Sequence, residues 1–411
     1  MPLRSRSSML ASAMLAVAVA AAACGGGSSS TQGSSGTAGT TTTAGVSSAS
    51  VSSSAASPSS TAAPDAVAAA TARLQKWAVG TNTPPPSASP APVAGKKVWV
   101  ISCFELIESC SLPTAATVEA GKSVGWAMTV YDASGDPSRA ATGIRNAAAA
   151  KADAIVLVAI DCGQAIQAIQ EAKSAKVLIM SFYGFDCNDV NYNSGPPLFD
   201  GSVIPGDGTF TSYADFMTAL ATAKLDWVIA QTKGAARIID FSQKDAVIVS
   251  YLAKGINAGI TKNCPDCKKS ATLDVVAADI ANGQLIAKFQ GALLQHADAN
   301  SVILPFDAYG VFGLAQASKD TGRNLAVIGG EGYPAAMQQL RSGLLSAVGA
   351  ISGEWAGYAA IDGLIRLFAG QPILPSGIGW QIITKANAPA AGGYQPSIDF
   401  RSAYKKIWGV K

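Results

Sequence analysis

From residue 96 onward, short runs of β-branched and other apolar residues alternate with longer alanine-rich stretches. Short, fully apolar runs between such stretches are typical of parallel strands buried between helices. The predicted strands span residues 97–102, 123–131, 154–159, 177–181, 237–241, 271–276, 301–306 and 325–329. The predicted helices span residues 137–151, 163–175, 213–232, 245–255, 280–295, 311–321 and 335–342. The pattern therefore predicts an α/β protein.

The predicted strands form two consecutive sets of four, which indicates two similar lobes. The break between the sets is residues 188–208, a segment rich in Asn, Gly, Pro and Asp. Such a composition is typical of a chain that leaves one domain for the next.

The N-terminus has the pattern of an export signal. Residues 1–23 combine Arg4 and Arg6 with an apolar stretch and a series of small residues before Cys24. The small residues before Cys24 and the three glycines after it resemble the lipobox of bacterial lipoproteins, although Ala21 stands where that pattern usually has leucine. The alternatives are ordinary secretion and an incidental cysteine. We expect Cys24 to be lipidated and to anchor the protein to a membrane.

Residues 24–95 are predicted to be a tether and a stem. Residues 25–64 carry no charge and consist mainly of Ser, Thr, Gly and Ala, which cannot bury enough apolar surface to fold. A short helix is possible over residues 65–79, and the proline-rich residues 83–93 favour extended backbone. The folded body is expected to begin near Lys96.

Composition and charge exclude several function classes. The chain has 411 residues and a net charge of +3, with 30 basic and 27 acidic residues, too balanced for binding along a nucleic acid backbone. His296 is its only histidine, so a multi-histidine metal centre is excluded and a histidine-based triad would depend on one ring near a predicted helix end. We expect a binding protein with no cofactor and no metal, rather than an enzyme.

Two strings resemble catalytic motifs but lack their context. Residues 116–123 are one glycine short of a phosphate-binding loop and do not follow a predicted strand. Residues 121–125 match the string of a nucleophile elbow, but they lead into a predicted strand, whereas an elbow joins a strand to a helix.

Aromatic residues and carboxylates recur just past the ends of predicted strands. In open parallel sheets, ligands bind outside the carboxyl ends of the strands. An aromatic face beside fixed hydrogen-bond acceptors suits a small polyol, whereas packing at a strand end is the alternative for each residue alone. The candidate cleft residues are Phe104, Asp161, Tyr183, Phe241, Phe306, Asp307 and Glu331.

Several patches, in order, resemble one family. The patches are residues 124–132, 135–137, 151–157 and 171–177 in the first half, and residues 301–315, 327–331 and 357–370 in the second. Together they are similar to the two lobes of type I periplasmic binding proteins of the ribose and sugar class. The resemblance implies two Rossmann-like lobes joined by three crossovers, which close on a ligand that an ABC permease then receives. It assigns residues 96–200 with about 332–375 to an N-terminal lobe, and residues 201–331 with about 376–411 to a C-terminal lobe.

The chain departs from the ribose-type pattern at three places. Phe182 and Tyr183 stand where those members carry an Asp-Arg pair, Phe306 replaces the Asn before the aspartate, and Glu331 replaces an Asp. We therefore expect a ligand with more apolar face than ribose, such as a hexose derivative, a deoxy sugar, a cyclitol or an aromatic compound.

Six cysteines remain in the predicted body, an even number that indicates disulfides in an exported chain. Proximity in sequence favours the pairs Cys103–Cys110, Cys162–Cys187 and Cys264–Cys267 among fifteen possible pairings. Residues 264–267 could instead be a redox motif, but they lie between a predicted helix and a strand rather than at the start of a helix. A zinc site would need a second close pair.

The sequence thus predicts a monomeric, lipid-anchored, extracytoplasmic solute-binding protein that delivers a small ligand to an ABC import permease. The alternatives are a binding protein that presents its ligand to a membrane receptor kinase, an extracellular enzyme, and an adhesion lipoprotein.

Overall fold

The computed structural model describes residues 62–191 and 194–410. The predicted export signal, Cys24 and the first part of the predicted tether lie outside these residues. Within them, no helix is long and apolar enough to span a membrane.

The described residues form a series of short strands and flanking helices. The strands are β1 (Lys97–Ser102), β2 (Ala127–Asp132), β3 (Ala154–Val158), β4 (Leu178–Phe182), β5 (Gly201–Ser202), β6 (Arg237–Gln243), β7 (Lys268–Val275), β8 (Ser301–Ile303), β9 (Ala326–Gly329), β10 (Ala347–Ile351) and β11 (Trp380–Thr384). The helices are α1 (Ala62–Val79), α2 (Glu108–Ser123), α3 (Pro137–Ala149), α4 (Ile166–Ser174), α5 (Tyr213–Gln231), α6 (Val247–Asn263), α7 (Ala277–Ala281), α8 (Gln284–Gln295), α9 (Asp307–Tyr309), α10 (Ala315–Asp320), α11 (Pro334–Ser342), α12 (Gly353–Phe368) and α13 (Phe400–Trp408).

The strands form two sheets, one in each lobe, which confirms the predicted fold class. The first sheet has the order β2-β1-β3-β4-β5 and is parallel throughout. The second has the order β11-β10-β9-β8-β6-β7, and only β11 runs antiparallel to its neighbour. All five residues of β3 are buried. Ile155 and Val156 belong to different core clusters because successive side chains point to opposite faces and helices cover both.

The chain passes between the lobes at the three crossovers implied by the resemblance. These lie at residues 203–212, at Ser352, and at residues 369–379. Two further passages occur among the described residues. Residues 80–96 lead from α1, which packs on α5 and β11, to β1, and residues 385–399 lead from β11 to α13, which packs on α12.

The prediction that the folded body begins near Lys96 is wrong. Helix α1 packs on the second lobe, where Arg73 pairs with the buried Asp226 and the ring of Trp77 lies 5.5 Å from that of Trp380. The proline-rich stem is also held to the body, because Thr83 donates its N–H to the carbonyl of Gly377 at 2.9 Å. Through the contacts of Arg73 and Trp77, the alanine-rich helix α1 extends the folded body to residue 62.

The predicted division of the C-terminal residues also needs correction. Within residues 332–375, α11 and β10 belong to the second lobe, and only α12 packs on the first lobe. Within residues 376–411, α13 packs on the first lobe, where Phe400 stacks on Trp355 at 5.2 Å between ring centroids. Strand β10 has the sequence AVGAI, in which three of the five residues are Ala or Gly, and these are depleted in strands.

The strands predicted over residues 123–131 and 301–306 are too long, and a helix was missed. Residues 123–126 are not part of a strand, because α2 extends to Ser123 and β2 begins at Ala127. The interior Pro113 and the glycine near its end conceal α2 in the sequence. A Cβ on Gly357 of α12 would lie 2.8 Å from the carbonyl oxygen of Pro113, so glycine is needed where the two helices meet.

Candidate ligand-binding cleft

A cavity of about 490 Å³ lies between the two lobes. Its wall includes residues just past the carboxyl ends of β1, β3 and β4 in the first lobe, and of β6, β8 and β9 in the second. This is the place where open parallel sheets bind ligands. The volume is within the range of small-molecule pockets.

The lobes contact each other around this cavity. Ser109 of α2 donates a hydrogen bond to Glu331 Oε2 at 2.5 Å, and Gln164 Nε2 donates to the carbonyl of Asp245 at 3.0 Å. Farther out, the Tyr251 hydroxyl donates to Asp189 Oδ2 at 2.6 Å. These bonds join residues of opposite lobes, so the structure shows the lobes in a closed arrangement.

Asp161 is a buried carboxylate that joins the lobes. It follows β3, and its two oxygens accept hydrogen bonds from the N–H of Phe185 at 2.8 Å and the N–H of Val247 at 3.0 Å. Val247 begins α6 in the second lobe, so the carboxylate also lies at a helix N-terminus, where negative charge is favoured. Burial nevertheless raises the pKa of Asp161 to about 6, because the two N–H donors only partly offset the loss of water and the charges of Asp189 and Asp245 add to it.

Glu331 lies in the opposite wall, after β9. Its Oε2 accepts hydrogen bonds from Ser109 and from the N–H of Asp307. No partner of Oε1 occurs among the described residues. Burial and the neighbouring charge of Asp307 raise the pKa of Glu331.

Aromatic rings form the apolar part of the wall. Phe104 and Phe306 are half-buried and line the cavity from opposite lobes. The rings of Tyr183 and Tyr213 lie 5.6 Å apart, again from opposite lobes. The Tyr213 hydroxyl is buried and has no hydrogen-bond partner among the described residues. The wall therefore offers flat apolar faces beside polar atoms.

The structure brings five of the seven candidate residues to the cavity wall. These five are Phe104, Asp161, Tyr183, Phe306 and Glu331. That they contact a ligand stays a prediction.

Phe241 was placed in the cleft wrongly. Its ring packs in the core of the second lobe, against Tyr309 at 5.1 Å and Phe289 at 6.2 Å. Strand β6 continues two residues beyond the predicted end, to Gln243. The cavity is therefore lined by Gln243 and Asp245 instead.

Asp307 supports the cavity wall from behind and does not line it. Its side chain accepts hydrogen bonds from the backbone N–H groups of Gly330, Glu331, Gly332 and Tyr333 at 2.6–3.0 Å. Gly330 is required at this point, since a Cβ there would lie 2.6 Å from the Cα of Phe306. Asp307 thus fixes the loop that carries Glu331.

Several wall residues were not predicted. Gln243 and Asp245 follow the true end of β6, so the same strand-end rule finds them once that end is placed correctly. Ser109, Gln164 and Tyr213 lie on helical segments that begin beside the cleft, and no pattern in the sequence singles them out.

The structure pairs the six cysteines as sequence proximity predicted. The bonds are Cys103–Cys110, Cys162–Cys187 and Cys264–Cys267. The first borders the cavity, and the second follows Asp161. Asp186 lies near Cys162 and Cys187, but these cysteines form a disulfide and offer no thiolate to a metal.

The single histidine, His296, directly follows the last residue of α8 and does not line the cavity.

A family model described as a periplasmic binding protein domain matches residues 113–372. The chain belongs to this family. Periplasmic binding proteins function outside the cytoplasm and bind small solutes, and the family assignment confirms the resemblance stated from the sequence. Among curated protein sequences, none matches this chain.

Solved structures of periplasmic binding proteins share the fold at low sequence identity. The myo-inositol binding protein of Caulobacter, bound to myo-inositol, has a TM-score of 0.60 and 16% identity, over 73% of this chain and 97% of its own. The arabinose ABC transporter component of Shewanella sp. ANA-3, bound to L-arabinofuranose, has a TM-score of 0.58 and 19% identity, over 76% and 95%. A solute-binding protein of Mycobacterium smegmatis with bound glycerol has a TM-score of 0.59 and 15% identity, over 74% and 100%.

Proposed function

We propose that this protein captures a small ligand between its lobes and delivers it to an ABC import permease. The observation that carries the proposal is the cavity of about 490 Å³ between the carboxyl ends of two parallel sheets, bordered by hydrogen bonds between the lobes. A ligand that contacts both walls favours the closed arrangement by its differential affinity for that state.

The walls suit a ligand with an apolar face and several hydrogen-bond donors. Phe104 and Phe306 offer faces for stacking, whereas Asp161, Asp245 and Glu331 offer acceptor oxygens. Sugars and cyclic polyols have this character. The solved relatives bound to myo-inositol, L-arabinofuranose and glycerol support this ligand class.

The ligand class is tested by a thermal-shift screen of the purified protein against sugars, polyols, amino acids, nucleosides and small aromatic compounds. A ligand at 100 times its dissociation constant adds about 2.7 kcal/mol to the free energy of unfolding, which raises the melting temperature by several degrees. We expect one chemical series to give graded, saturable shifts.

Two matched variants locate the binding site. Phe306→Ala removes a ring of the wall and should reduce the shift, whereas Phe312→Ala removes a half-buried ring outside the wall and should preserve it. No saturable shift with any series, or equal loss in both variants, would count against binding in the cleft.

The proposal includes a lipid anchor at Cys24, as the sequence pattern predicts. Mass spectrometry of the protein from its native membrane should find Cys24 as a diacylated N-terminal residue. The Cys24→Ala variant should appear in the soluble fraction instead. An unmodified Cys24 in the membrane fraction would contradict the anchor and leave the binding proposal intact.

A further inference from the structure

The charged side chains in the cavity wall are all acidic. They are Asp136, Asp161, Asp245 and Glu331, and no lysine, arginine or histidine of the described residues lines the cavity. None of the four carboxylates forms an ion pair with a residue that the structure describes. The wall therefore combines several acidic groups with no basic partner.

These carboxylates have acceptor capacity that the protein does not use. Asp245 Oδ2 accepts a hydrogen bond from the N–H of Ala277 at 2.8 Å, but its Oδ1 is buried without a partner among the described residues. Glu331 Oε1 is likewise without a described partner, and Glu331 is 6% exposed. The buried Asp245 Oδ1 is costly without a donor, and Glu331 Oε1 also has acceptor capacity left, so a ligand that supplies donors is favoured here.

A buried lysine behind this wall donates its hydrogen bond elsewhere. Lys224 is 1% exposed, and its Nζ donates a hydrogen bond to the carbonyl of Leu304 at 2.5 Å. Its charge acts on both Asp307 and Glu331 from behind the wall. One lysine cannot balance these two carboxylates together with Asp161 and Asp245.

We propose that the natural ligand is a small organic cation, a protonated amine on an apolar or polyol skeleton. This inference rests on the proposed capture of a small ligand between the lobes and assigns a positive charge to that ligand. An ammonium group has only donors to offer, which matches a wall rich in free acceptors. The rings of Phe104, Phe306, Tyr183 and Tyr213 also attract a cation through their faces.

The energetics of Asp161 and Glu331 support the same ligand. Burial raises the pKa of both groups, so the protein alone disfavours their charged forms. A bound cation would favour those charged forms again, whereas a neutral polyol supplies no counter-charge and would leave the charged forms disfavoured.

The test measures the affinity of the purified protein for pairs of compounds that differ only in charge. Suitable pairs are cyclohexylamine and cyclohexanol, glucosamine and glucose, and choline and 3,3-dimethylbutan-1-ol. In at least one pair we expect the cation to bind about thirtyfold or more tightly than its neutral partner. A neutral partner that binds as tightly as the cation in every pair would overturn the inference while the proposed function stands.

Charge-neutralising variants provide the second readout. Asp245→Asn and Glu331→Gln should weaken binding of the cation about tenfold or more and change that of the neutral partner far less. Asp274→Asn, an exposed carboxylate on β7 outside the wall, serves as the matched control and should leave both affinities unchanged. If no amine and no neutral compound binds, both the inference and the proposed function fail.

Discussion

At the scale of single residues, Asp307 shapes the cleft through the backbone. Four consecutive N–H groups, from Gly330 to Tyr333, donate to its two carboxylate oxygens. Charge-assisted bonds of this kind are stronger than those between neutral groups. The position of Glu331 in the wall therefore depends on Asp307.

Asp307→Asn should lower the free energy of unfolding by about 3 kcal/mol, because the amide nitrogen would face N–H groups that need an acceptor. It should also weaken ligand binding. Asp274→Asn, on the exposed side of β7, should change stability by less than about 0.5 kcal/mol. Urea denaturation of the two variants checks this, and equal midpoints would contradict the role of Asp307.

Asp161 makes stability depend on pH. Folding raises its pKa from 3.8 to about 6, so between these values the folded chain holds a proton that the unfolded chain releases. Its contribution to stability is therefore largest below about pH 4 and is lost as the pH rises through 6. We expect the stability of the wild type, relative to Asp161→Asn, to fall by about 3 kcal/mol between pH 4 and pH 7. Parallel denaturation profiles for the two proteins over this range would show that Asp161 does not titrate in this way.

The sequence predicts a cleft residue only as accurately as it predicts the end of the strand that precedes that residue. Asp161 and Glu331 follow strands whose ends were nearly correct, and both lie in the wall. The end of β6 was placed two residues early, which selected the core residue Phe241 in place of Asp245. Phe241 and Gln243 share one face of β6, but Phe241 lies within the sheet and packs in the core, whereas Gln243 ends the strand beside the cavity.

At the scale of elements, a buried carboxylate of α5 helps to hold α1 on the folded body. Asp226 of α5 is fully buried, and Arg73 of α1 donates to both of its oxygens at 2.6 and 2.8 Å. Trp77 donates its ring N–H to the same group at 3.2 Å.

Arg73→Ala should destabilise the protein by about 3 kcal/mol, because it leaves the buried charge of Asp226 without its counter-ion. The matched control is Arg145→Ala, which removes an exposed ion pair with Glu171 and should have no measurable effect. Thermal or urea denaturation measures both. A loss in Arg73→Ala no larger than that in the control would contradict the stabilising role of the Arg73–Asp226 pair.

Two of the elements that were not predicted from sequence patterns, β10 and α2, share one property. Strand β10 consists mainly of small residues, and α2 contains an interior proline. Both are stabilised by close packing against neighbours, as Gly357 of α12 shows by its approach to α2. Local propensity is a weak guide where tertiary contacts decide the structure.

At the scale of the whole molecule, an aromatic cluster joins the lobes beside the crossovers. Tyr183 and Phe185 of the first lobe contact Tyr213 of the second at 5.6 and 5.7 Å between ring centroids. Phe185 also stacks on Tyr251 at 5.1 Å. Because these rings belong to both lobes, any opening of the cleft must rearrange them.

The account depends on a ligand that binds between the lobes, and one titration tests this most directly. Calorimetry with the tightest ligand of the screen should give saturable binding of one molecule per chain to the wild type and to Ala149→Trp, an exposed position on α3 outside the wall. Ala278→Trp places a large ring at the mouth of the cavity and should weaken binding about tenfold or more, since binding in a closed cleft depends on fit. Equal affinity in all three proteins, or no saturable binding to the wild type, would contradict the account.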